Sequence, residues 1–271
     1  MNFKRRRILA STFTLLCVAL TAMLVQFVRD HLGDESTFTG WTLFVSTAGL
    51  YLLTARKRLI HKRLGPVSYW LQMHAYLGTF ASVVFLMHIG WPIRGLFESC
   101  LAACFVIVAV SGIALGIMSR VTPRKLAALP RDYLLEAIPA LQMSVAQDAH
   151  QIAIDSAEFG EGATLAEYYQ RRLLPFFQTP RGVVYRMLPN GIKRRQLLRE
   201  LSDLDRYLAS KGIVSQQRLV AMVKQKDDLD YHLALQTRLR ALFALHVSLT
   251  WALALMVGVH VVLVYRFQGA T

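Results

Sequence analysis

The segment HAYLGTFASVVFLMH, residues 74–88, has the composition of a membrane-spanning helix but begins and ends with histidine. The segment HVSLTWALALMVGVH, residues 246–260, has the same length, the same apolar filling and again a histidine at each end. An ionisable side chain in hydrocarbon is costly, and it usually faces the interior of a helix bundle and serves a function there. The two segments therefore predict a membrane fold with a functional site inside it.

The rest of the chain is also more apolar than an ordinary soluble enzyme. Of its 271 residues 54% are hydrophobic and 18% are charged, and the mean hydropathy is +0.37. A helix that crosses the hydrocarbon core needs roughly 20 apolar residues. Five segments reach or approach this length: Ile8–Val28, Thr39–Thr54, Val67–Ile89, Phe97–Met118 and Leu242–Tyr265. The pattern predicts an all-α polytopic membrane bundle of about five transmembrane helices, of which the second is short.

The first apolar segment follows the basic stretch MNFKRRR, a charged start that also resembles a secretory signal peptide. Its apolar run is longer than a typical signal core, and no A-x-A cleavage site follows it. We expect an uncleaved transmembrane helix here, with a signal peptide as the alternative.

The net charge of +14 is distributed in a way that indicates membrane topology rather than nucleic-acid binding. Loops on alternate sides of the five predicted helices carry 28 Lys and Arg against 13 Asp and Glu on one side, and 3 against 4 on the other. An excess of Lys and Arg in short loops marks the cytoplasmic side. We therefore expect an integral membrane protein of the bacterial inner (cytoplasmic) membrane type, with its N-terminus in the cytoplasm and its C-terminus outside.

This topology divides the chain into residues 1–118 with four transmembrane helices, a cytoplasmic helical insert at 119–240, and residues 241–271 with the fifth helix and a short outer tail. In the insert, Thr164 and Glu167 form a possible capping box, and Gly212 is a suitable residue to follow a helix over 192–210. From Val214 onward no helix breaker precedes the fifth span, which predicts one helix of about 50 residues, antiparallel to 192–210. Only residues 176–191 have a strand-like pattern. The insert is either a docking platform for a redox protein or a scaffold that stiffens the fourth and fifth helices.

The three cysteines, Cys17, Cys100 and Cys104, are expected to be packing residues. Cys100 and Cys104 are four residues apart on one helix, which is poor geometry for a disulfide. No C-x-x-C pair indicates an iron–sulfur site.

The histidine spacing predicts the chemistry of the site. Fourteen residues make nearly four helical turns and a rise of ~21 Å, so both histidines of each segment face the same way at two depths. Because the two helices are parallel, His74 lies level with His246 near the cytoplasmic side, and His88 lies level with His260 near the outer side. Each level pair is suited to ligate one haem iron, which predicts two haem b groups. Zinc requires four ligands around one centre and does not fit two separated levels.

Neighbouring residues are compatible with haem. Gly78, one turn after His74, leaves room for a flat macrocycle, as do Gly90 and Gly258. Gly112 and Gly116 share one face of the fourth helix. Haem binding and ordinary packing of small residues between helices explain this pair equally well. Arg94 and Arg266 each lie six residues beyond an outer histidine and are candidates to bind haem propionates. Anchoring at the membrane edge is the alternative role for these arginines.

With these paired histidine segments, the chain resembles di-haem b-type cytochromes, in particular the ferric reductase-like transmembrane domains, including those of NADPH oxidases, and the quinol-oxidising cytochrome b subunits. The resemblance covers about residues 67–118 and 242–266. It implies that His74, His88, His246 and His260 are the haem ligands and that the loop between the fourth and fifth helices is cytoplasmic. Unlike the oxidases, the chain shows no flavin- or nucleotide-binding segment after its last helix, and it lacks a sixth helix.

The expected function is therefore electron transfer across the membrane by a subunit of an oxidoreductase rather than by a complete enzyme. The donor is expected to be a cytoplasmic redox partner protein or a quinol, and the acceptor lies on the other side, with lipid around the chain and no nucleic-acid partner. One alternative is a self-contained reductase that acts on ferric iron or oxygen at the outer face. The other is a non-redox membrane anchor or transporter in which the histidines are polar contacts or proton relays.

Overall fold

The computed structural model describes residues 3–31, 33–53, 56, 65–93, 95–130, 133–157 and 163–267. All regular structure in these residues is helical, and they contain no strand. The predicted all-α class is therefore confirmed. The chain divides into two compact units, a first unit of Met1–Gly116 with Leu245–Thr271 and a second unit of Ile117–Ala244.

Five long helices contribute to the first unit. They are α1 (Phe3–Asp30), α2 (Glu35–Leu50), α3 (Val67–His88), α4 (Leu96–Ala127) and α10 (Ser210–Phe267). The last residues of α4 and the first 35 residues of α10, up to Ala244, belong to the second unit. The 58 residues of α10 form one unbroken helix, as the absence of a helix breaker predicts.

Four of the helices are long and apolar enough to cross a membrane, namely α1, α3, α4 and α10. They contain four of the five predicted transmembrane segments. The remaining predicted segment, Thr39–Thr54, lies mainly on α2. This helix has 16 residues and extends ~24 Å, less than the ~30 Å of a typical hydrocarbon core. The length and composition of the four helices are compatible with an integral membrane protein.

Side-chain exposure in the first unit is the reverse of that in a soluble protein. Large apolar residues such as Phe13, Met23, Ile113 and Leu255 point outward along α1, α4 and α10. Buried threonines and serines lie on α2, where their hydroxyls bond to carbonyls of the preceding helical turn. An apolar exterior of this kind is suited to lipid as the solvent.

Polar and aromatic contacts join the helices of the first unit. Trp41 on α2 donates to the Tyr265 hydroxyl of α10 at 2.8 Å, and the Tyr51 hydroxyl, just after α2, donates to the Thr250 carbonyl at 2.7 Å. Phe85 of α3 stacks on Phe105 of α4 with ring centroids 4.2 Å apart. The first two contacts hold α2 against α10, and the third joins α3 to α4.

The second unit is a small helical domain around its own core. Its helices are α5 (Ile138–Ala157), α6 (Ala163–Tyr168), α7 (Leu174–Gln178), α8 (Val183–Met187) and α9 (Ile192–Asp203), with a π-helical turn at Tyr169–Leu173 and 3-10 turns at Leu135–Ala137 and Leu204–Tyr207. Fully buried residues of α5, α6, α9 and α10 form the core, among them Ile138, Leu165, Leu197 and Leu219.

The predicted antiparallel pairing of 192–210 with the first part of α10 is confirmed by two contacts. Arg194 binds Asp228 at 2.7 Å, whereas seven residues later the Leu201 carbonyl accepts from Gln216 at 2.6 Å. Residue numbers therefore rise on one helix as they fall on the other.

Three local predictions in this unit were wrong. The strand-like segment 176–191 contains helix α8, because a helix satisfies its backbone groups locally and no strand is available in the described residues to pair with it. Thr164 is not a helix cap, since α6 already begins at Ala163. Gly212 does not end a helix, because α9 already stops at Asp203. Buried Leu208 has extended backbone between the two helices. Gly212 lies in the first turn of α10.

Candidate functional site

The four histidines lie on two helices of the first unit, His74 and His88 on α3 and His246 and His260 on α10. Both spacings are 14 residues of continuous helix, so the two rings of each helix point the same way ~21 Å apart. All four side chains are half-buried. Each of the two helices therefore carries its histidines at two heights.

His88 and His260 are in ring contact across α3 and α10. Their centroids are 6.4 Å apart and their planes are inclined by 84°. A histidine nitrogen binds a metal at roughly 2.0–2.1 Å and lies about 1.1 Å from its ring centroid, so two imidazoles on opposite sides of one ion have centroids ~6.3 Å apart. The centroid distance of these two rings is therefore of the size that two histidines holding one metal ion would have.

A hydroxyl on α2 orients the ring of His88. Buried Thr39 donates its only proton to the Glu35 carbonyl at 2.7 Å, with the Ser36 carbonyl at 3.2 Å. The Thr39 oxygen lies 3.1 Å from His88 Nδ1, and with its proton on the Glu35 carbonyl it accepts from Nδ1–H. This tautomer leaves the lone pair on Nε2, the nitrogen that would bind a metal.

His246 is supported in the same way by α4. Buried Ser111 bonds to the Val108 carbonyl at 3.0 Å, and its oxygen lies 2.9 Å from His246 Nδ1. With the hydroxyl proton on the Val108 carbonyl, the Ser111 oxygen accepts from Nδ1–H, and in that tautomer Nε2 keeps its lone pair.

A glycine follows each of these hydroxyl residues and contacts the same histidine ring. A Cβ on Gly40 would lie 3.1 Å from Cε1 of His88, and a Cβ on Gly112 would lie 3.1 Å from Cε1 of His246. Only hydrogen fits in this space without displacement. We refer to Thr39–Gly40 and Ser111–Gly112 as the two hydroxyl–glycine supports.

His74 uses a backbone acceptor instead. Its Nδ1 lies 3.2 Å from the carbonyl oxygen of Leu50, the last residue of α2. Carbonyls in the last turn of a helix have no intrahelical partner, so this oxygen is available to accept. A carbonyl only accepts, which again places the proton on Nδ1.

The described contacts of His260 are with rings rather than hydroxyls. The Phe97 ring lies over His260 at a centroid distance of 6.5 Å and an angle of 21°. Three of the four histidines therefore have Nδ1 held by an oxygen, and the fourth is positioned by Phe97 and His88.

A cavity of about 280 Å³ opens beside His88 and His260. Its wall is mainly aromatic and aliphatic, with Phe44, Phe85, Phe105, Leu253 and Val257 as examples, and Gly40 also lines it. The volume lies near the lower end of the range for small-molecule and cofactor pockets. The apolar wall is also typical of such pockets.

The N-terminus of α2 is fixed by a capping carboxylate. Asp34 accepts from the backbone N–H of Ser36 at 2.9 Å and of Thr37 at 3.2 Å. Hydrogen bonds from Thr37 and Ser36 lower the pKa of the Asp34 carboxyl to about 2. The cap therefore stays ionised at neutral pH and holds the turn that carries Thr39 and Gly40.

The remaining predicted site residues have other surroundings. A Cβ on Gly78 would meet only Leu50, at 3.9 Å, so Gly78 faces α2 in ordinary contact. Arg266 is exposed near the end of α10. Arg94 lies outside the described residues.

Thr39, Gly40 and Ser111 were not predicted as site residues. The signal available in the sequence was a repeated pair, a hydroxyl residue followed by glycine at 39–40 and at 111–112. In the described part of the chain, no group of three or more His, Cys, Asp or Glu side chains is placed to hold a metal ion. A haem iron takes only two axial ligands from the protein.

Comparison with known proteins gives no relative: no family model, curated protein or solved structure matches the chain.

Proposed function

We propose that the chain is a b-type cytochrome with two haems that carries electrons across a membrane, as a subunit of a redox complex. The observation that carries this proposal is the pair His88 and His260, whose 6.4 Å separation fits two axial ligands of one metal. A haem with two histidine ligands supplies one-electron transfer without a bond to substrate.

The chain's own residues would bind and orient this group. At the outer level His88 and His260 would be the ligands, with Thr39 fixing the tautomer of His88. At the inner level His74 and His246 would be the ligands, held through Nδ1 by the Leu50 carbonyl and by Ser111. An oxygen acceptor on the non-ligating nitrogen is the usual arrangement around metal-bound histidine, and it raises the basicity of the ligand.

The charge distribution supports a direction across the membrane. If α2 crosses the membrane together with α1, α3, α4 and α10, the Lys- and Arg-rich loops lie on one side. We assign this side to the cytoplasm of a bacterial cell. The second unit then lies in the cytoplasm as well. A cytoplasmic protein or a quinol would supply electrons to one haem, and a partner outside would accept them from the other.

The first test is a reduced-minus-oxidised visible spectrum with a pyridine haemochrome assay on the full chain purified in detergent. We expect two b haems per chain, and one after His88→Ala or His260→Ala. His150→Ala, which changes a histidine of the second unit, is the matched control and should keep both. A folded protein without haem would overturn the proposal and favour the anchor or transporter alternative.

A further inference from the structure

The second unit exposes a row of large apolar side chains along α8 and the turn that follows it. These residues, which we call the apolar ledge, are Val183, Val184, Met187, Leu188 and Ile192. Val184 is 78% exposed and Leu188 is 70% exposed. Clustered exposed apolar residues on a unit with a packed core mark a surface that something covers.

A backbone contact places this ledge at a defined height along α10. Arg238 donates to the Met187 carbonyl at 2.9 Å. Arg238 lies four residues before Leu242, where the apolar run of α10 begins, and four residues of helix correspond to ~6 Å. Exposed Leu134 lies at a similar height, since its near neighbour Glu136 binds Arg240 at 3.2 Å. The ledge therefore lies beside the part of α10 that directly precedes its apolar run.

Buried ion pairs hold the ledge against α10. Arg181, just before α8, binds Asp227 at 2.7 Å and Asp230 at 2.9 Å, and both carboxylates are buried. Arg194, just after the ledge, binds Asp228 at 2.7 Å. Both ends of the segment are thus anchored to the same helix, and its height is fixed by these anchors rather than by a loose loop.

The charge around the ledge selects an anionic partner. Residues 180–199 contain six basic and no acidic side chains. Arg181 and Arg194 are used by the ion pairs with α10. Arg186 and Arg195 are exposed and Lys193 is half-buried beside the ledge. Exposed apolar side chains next to Lys and Arg, at headgroup height, are typical of segments that lie in the interface of an anionic membrane.

We propose that the apolar ledge inserts into the headgroup–acyl boundary of the membrane that α10 crosses, with Arg186, Lys193 and Arg195 on anionic lipid headgroups. This inference rests on the proposed membrane insertion of the chain, but not on haem binding.

The test uses single-cysteine variants of the full chain in which Cys17, Cys100 and Cys104 are replaced by alanine. Val184→Cys reports on the ledge, and Leu255→Cys reports on the apolar run of α10. Gln217→Cys is the control, at an exposed site ~38 Å along α10 from Leu242. Each is labelled with a fluorophore and placed in nanodiscs of phosphatidylcholine and phosphatidylglycerol, with brominated or ordinary acyl chains. We expect brominated lipid to quench the labels at 184 and 255 at least about twofold and to leave 217 unchanged.

Quenching at 255 without quenching at 184 would overturn the ledge proposal while leaving membrane insertion intact, and would indicate that a protein partner or water faces the ledge. Quenching at none of the three sites would overturn membrane insertion and the ledge proposal together. Quenching at all three would also contradict a specific ledge.

The charge contribution is tested by replacing Arg186, Lys193 and Arg195 with glutamine. Quenching at 184 should then fall about twofold or more in discs that contain phosphatidylglycerol, because basic residues near an anionic surface are attracted to it. The matched control replaces the exposed basic residues Arg206, Arg218 and Lys224 with glutamine, and it should have no such effect. Equal losses in both variants would show that net charge alone is responsible.

Discussion

Thr39 and Ser111 each have one hydroxyl proton, and this limits the chemistry of the histidines beside them. Both protons go to carbonyls of their own helices, so each oxygen is left as an acceptor for Nδ1–H of a histidine. Had either oxygen been free to donate, the opposite tautomer would have been equally available. The supports therefore favour the tautomer with the lone pair on Nε2, the nitrogen that would bind the proposed haem iron.

On this basis we predict that Thr39→Val raises the reduction potential of one haem. Valine has a similar shape but no acceptor, so His88 becomes a less basic ligand and the ferric state loses stability. A tenfold change in the relative stability of the two oxidation states corresponds to 59 mV, and we expect a shift on the order of tens of millivolts in a redox titration.

Thr42→Val is the control for this measurement, because the Thr42 hydroxyl also bonds to a carbonyl of α2, that of Phe38 at 2.9 Å. Both variants remove one helix-bonded hydroxyl, but only Thr39 contacts a histidine. Equal shifts in the two variants would contradict the positioning role of Thr39.

The glycines of the hydroxyl–glycine supports give a steric prediction. Gly112→Ala places a Cβ 3.1 Å from the His246 ring, so the ring must move. We expect loss of one haem from the pyridine haemochrome count, even though alanine in place of glycine normally stabilises a helix by about 0.5–1 kcal/mol.

Gly258→Ala provides the matched comparison on α10, since no atom lies within 4 Å of its added Cβ. That variant should keep two haems and an equal or higher melting temperature. Unchanged haem content in Gly112→Ala would show that His246 tolerates displacement and would count against its role as a ligand.

The histidines were predictable from the sequence, but their supports were not. His74, His88, His246 and His260 stand out because each pair lies within one apolar segment, where the spacing alone fixes the face and the depth. Thr39 lies 49 residues from His88, and Ser111 lies 135 residues from His246. Such pairs become visible only when α2 and α4 are packed against α3 and α10.

At the scale of the element, α2 links the two histidine levels of α3. Thr39 and Gly40 near its start contact His88, and the carbonyl of Leu50 at its end contacts His74. The 11 residues from Thr39 to Leu50 give a rise of ~16 Å, about three quarters of the ~21 Å between the two histidines on α3. A helix too short to be an obvious span is therefore long enough to support both rings.

Local helix patterns had uneven predictive value. The long helix α10 was predictable because nothing between Val214 and the apolar run interrupts it. The end of α9 was not, because the signal at Gly212 was overridden by the packing of Leu208 into the core of the second unit. Tertiary packing decided the element boundary, as is common for weak local signals.

The second unit contains an ion pair with a defined pH dependence. Arg172 forms two bonds to Glu200, at 2.6 and 3.1 Å, and the Tyr168 hydroxyl donates at 3.0 Å. The Arg172 hydrogen bond is the largest cause that lowers the pKa of Glu200, to about 2. The unfolded value is near 4.3, so the stabilisation is fully present above about pH 4.3 and is lost as the pH falls toward 2.

We therefore predict that Glu200→Gln lowers the melting temperature at pH 6, and that the difference from the wild-type chain shrinks below about pH 4.3 and disappears near pH 2. The pair is partly exposed, so the loss should be small, about 1 kcal/mol or less. Glu167→Gln removes the more exposed pair with Arg171 and should have a smaller effect. A difference that grows on acidification would contradict the sign of the pKa shift.

At the scale of the whole molecule, an apolar exterior and two polar histidine levels are combined in one first unit. Neither α3 nor α10 alone can hold a metal between facing rings, because the rings of one helix are ~21 Å apart. The proposed haem sites would therefore require the two helices together, with α2 and α4 supplying acceptors for the histidines. This division of roles predicts the haem content of variants in which two histidines are replaced.

The final prediction concerns these combinations. If each haem depends on one histidine from α3 and one from α10, His88→Ala with His260→Ala should lose the same single haem as either change alone. His74→Ala with His88→Ala, two changes on one helix, should instead lose both haems. Pyridine haemochrome counts on the two double variants, with circular dichroism to confirm that both remain helical, distinguish pairing across helices from other arrangements. Loss of both haems in the first double variant, or retention of one in the second, would mean that the levels are not independent and that the assignment of ligands to levels is wrong.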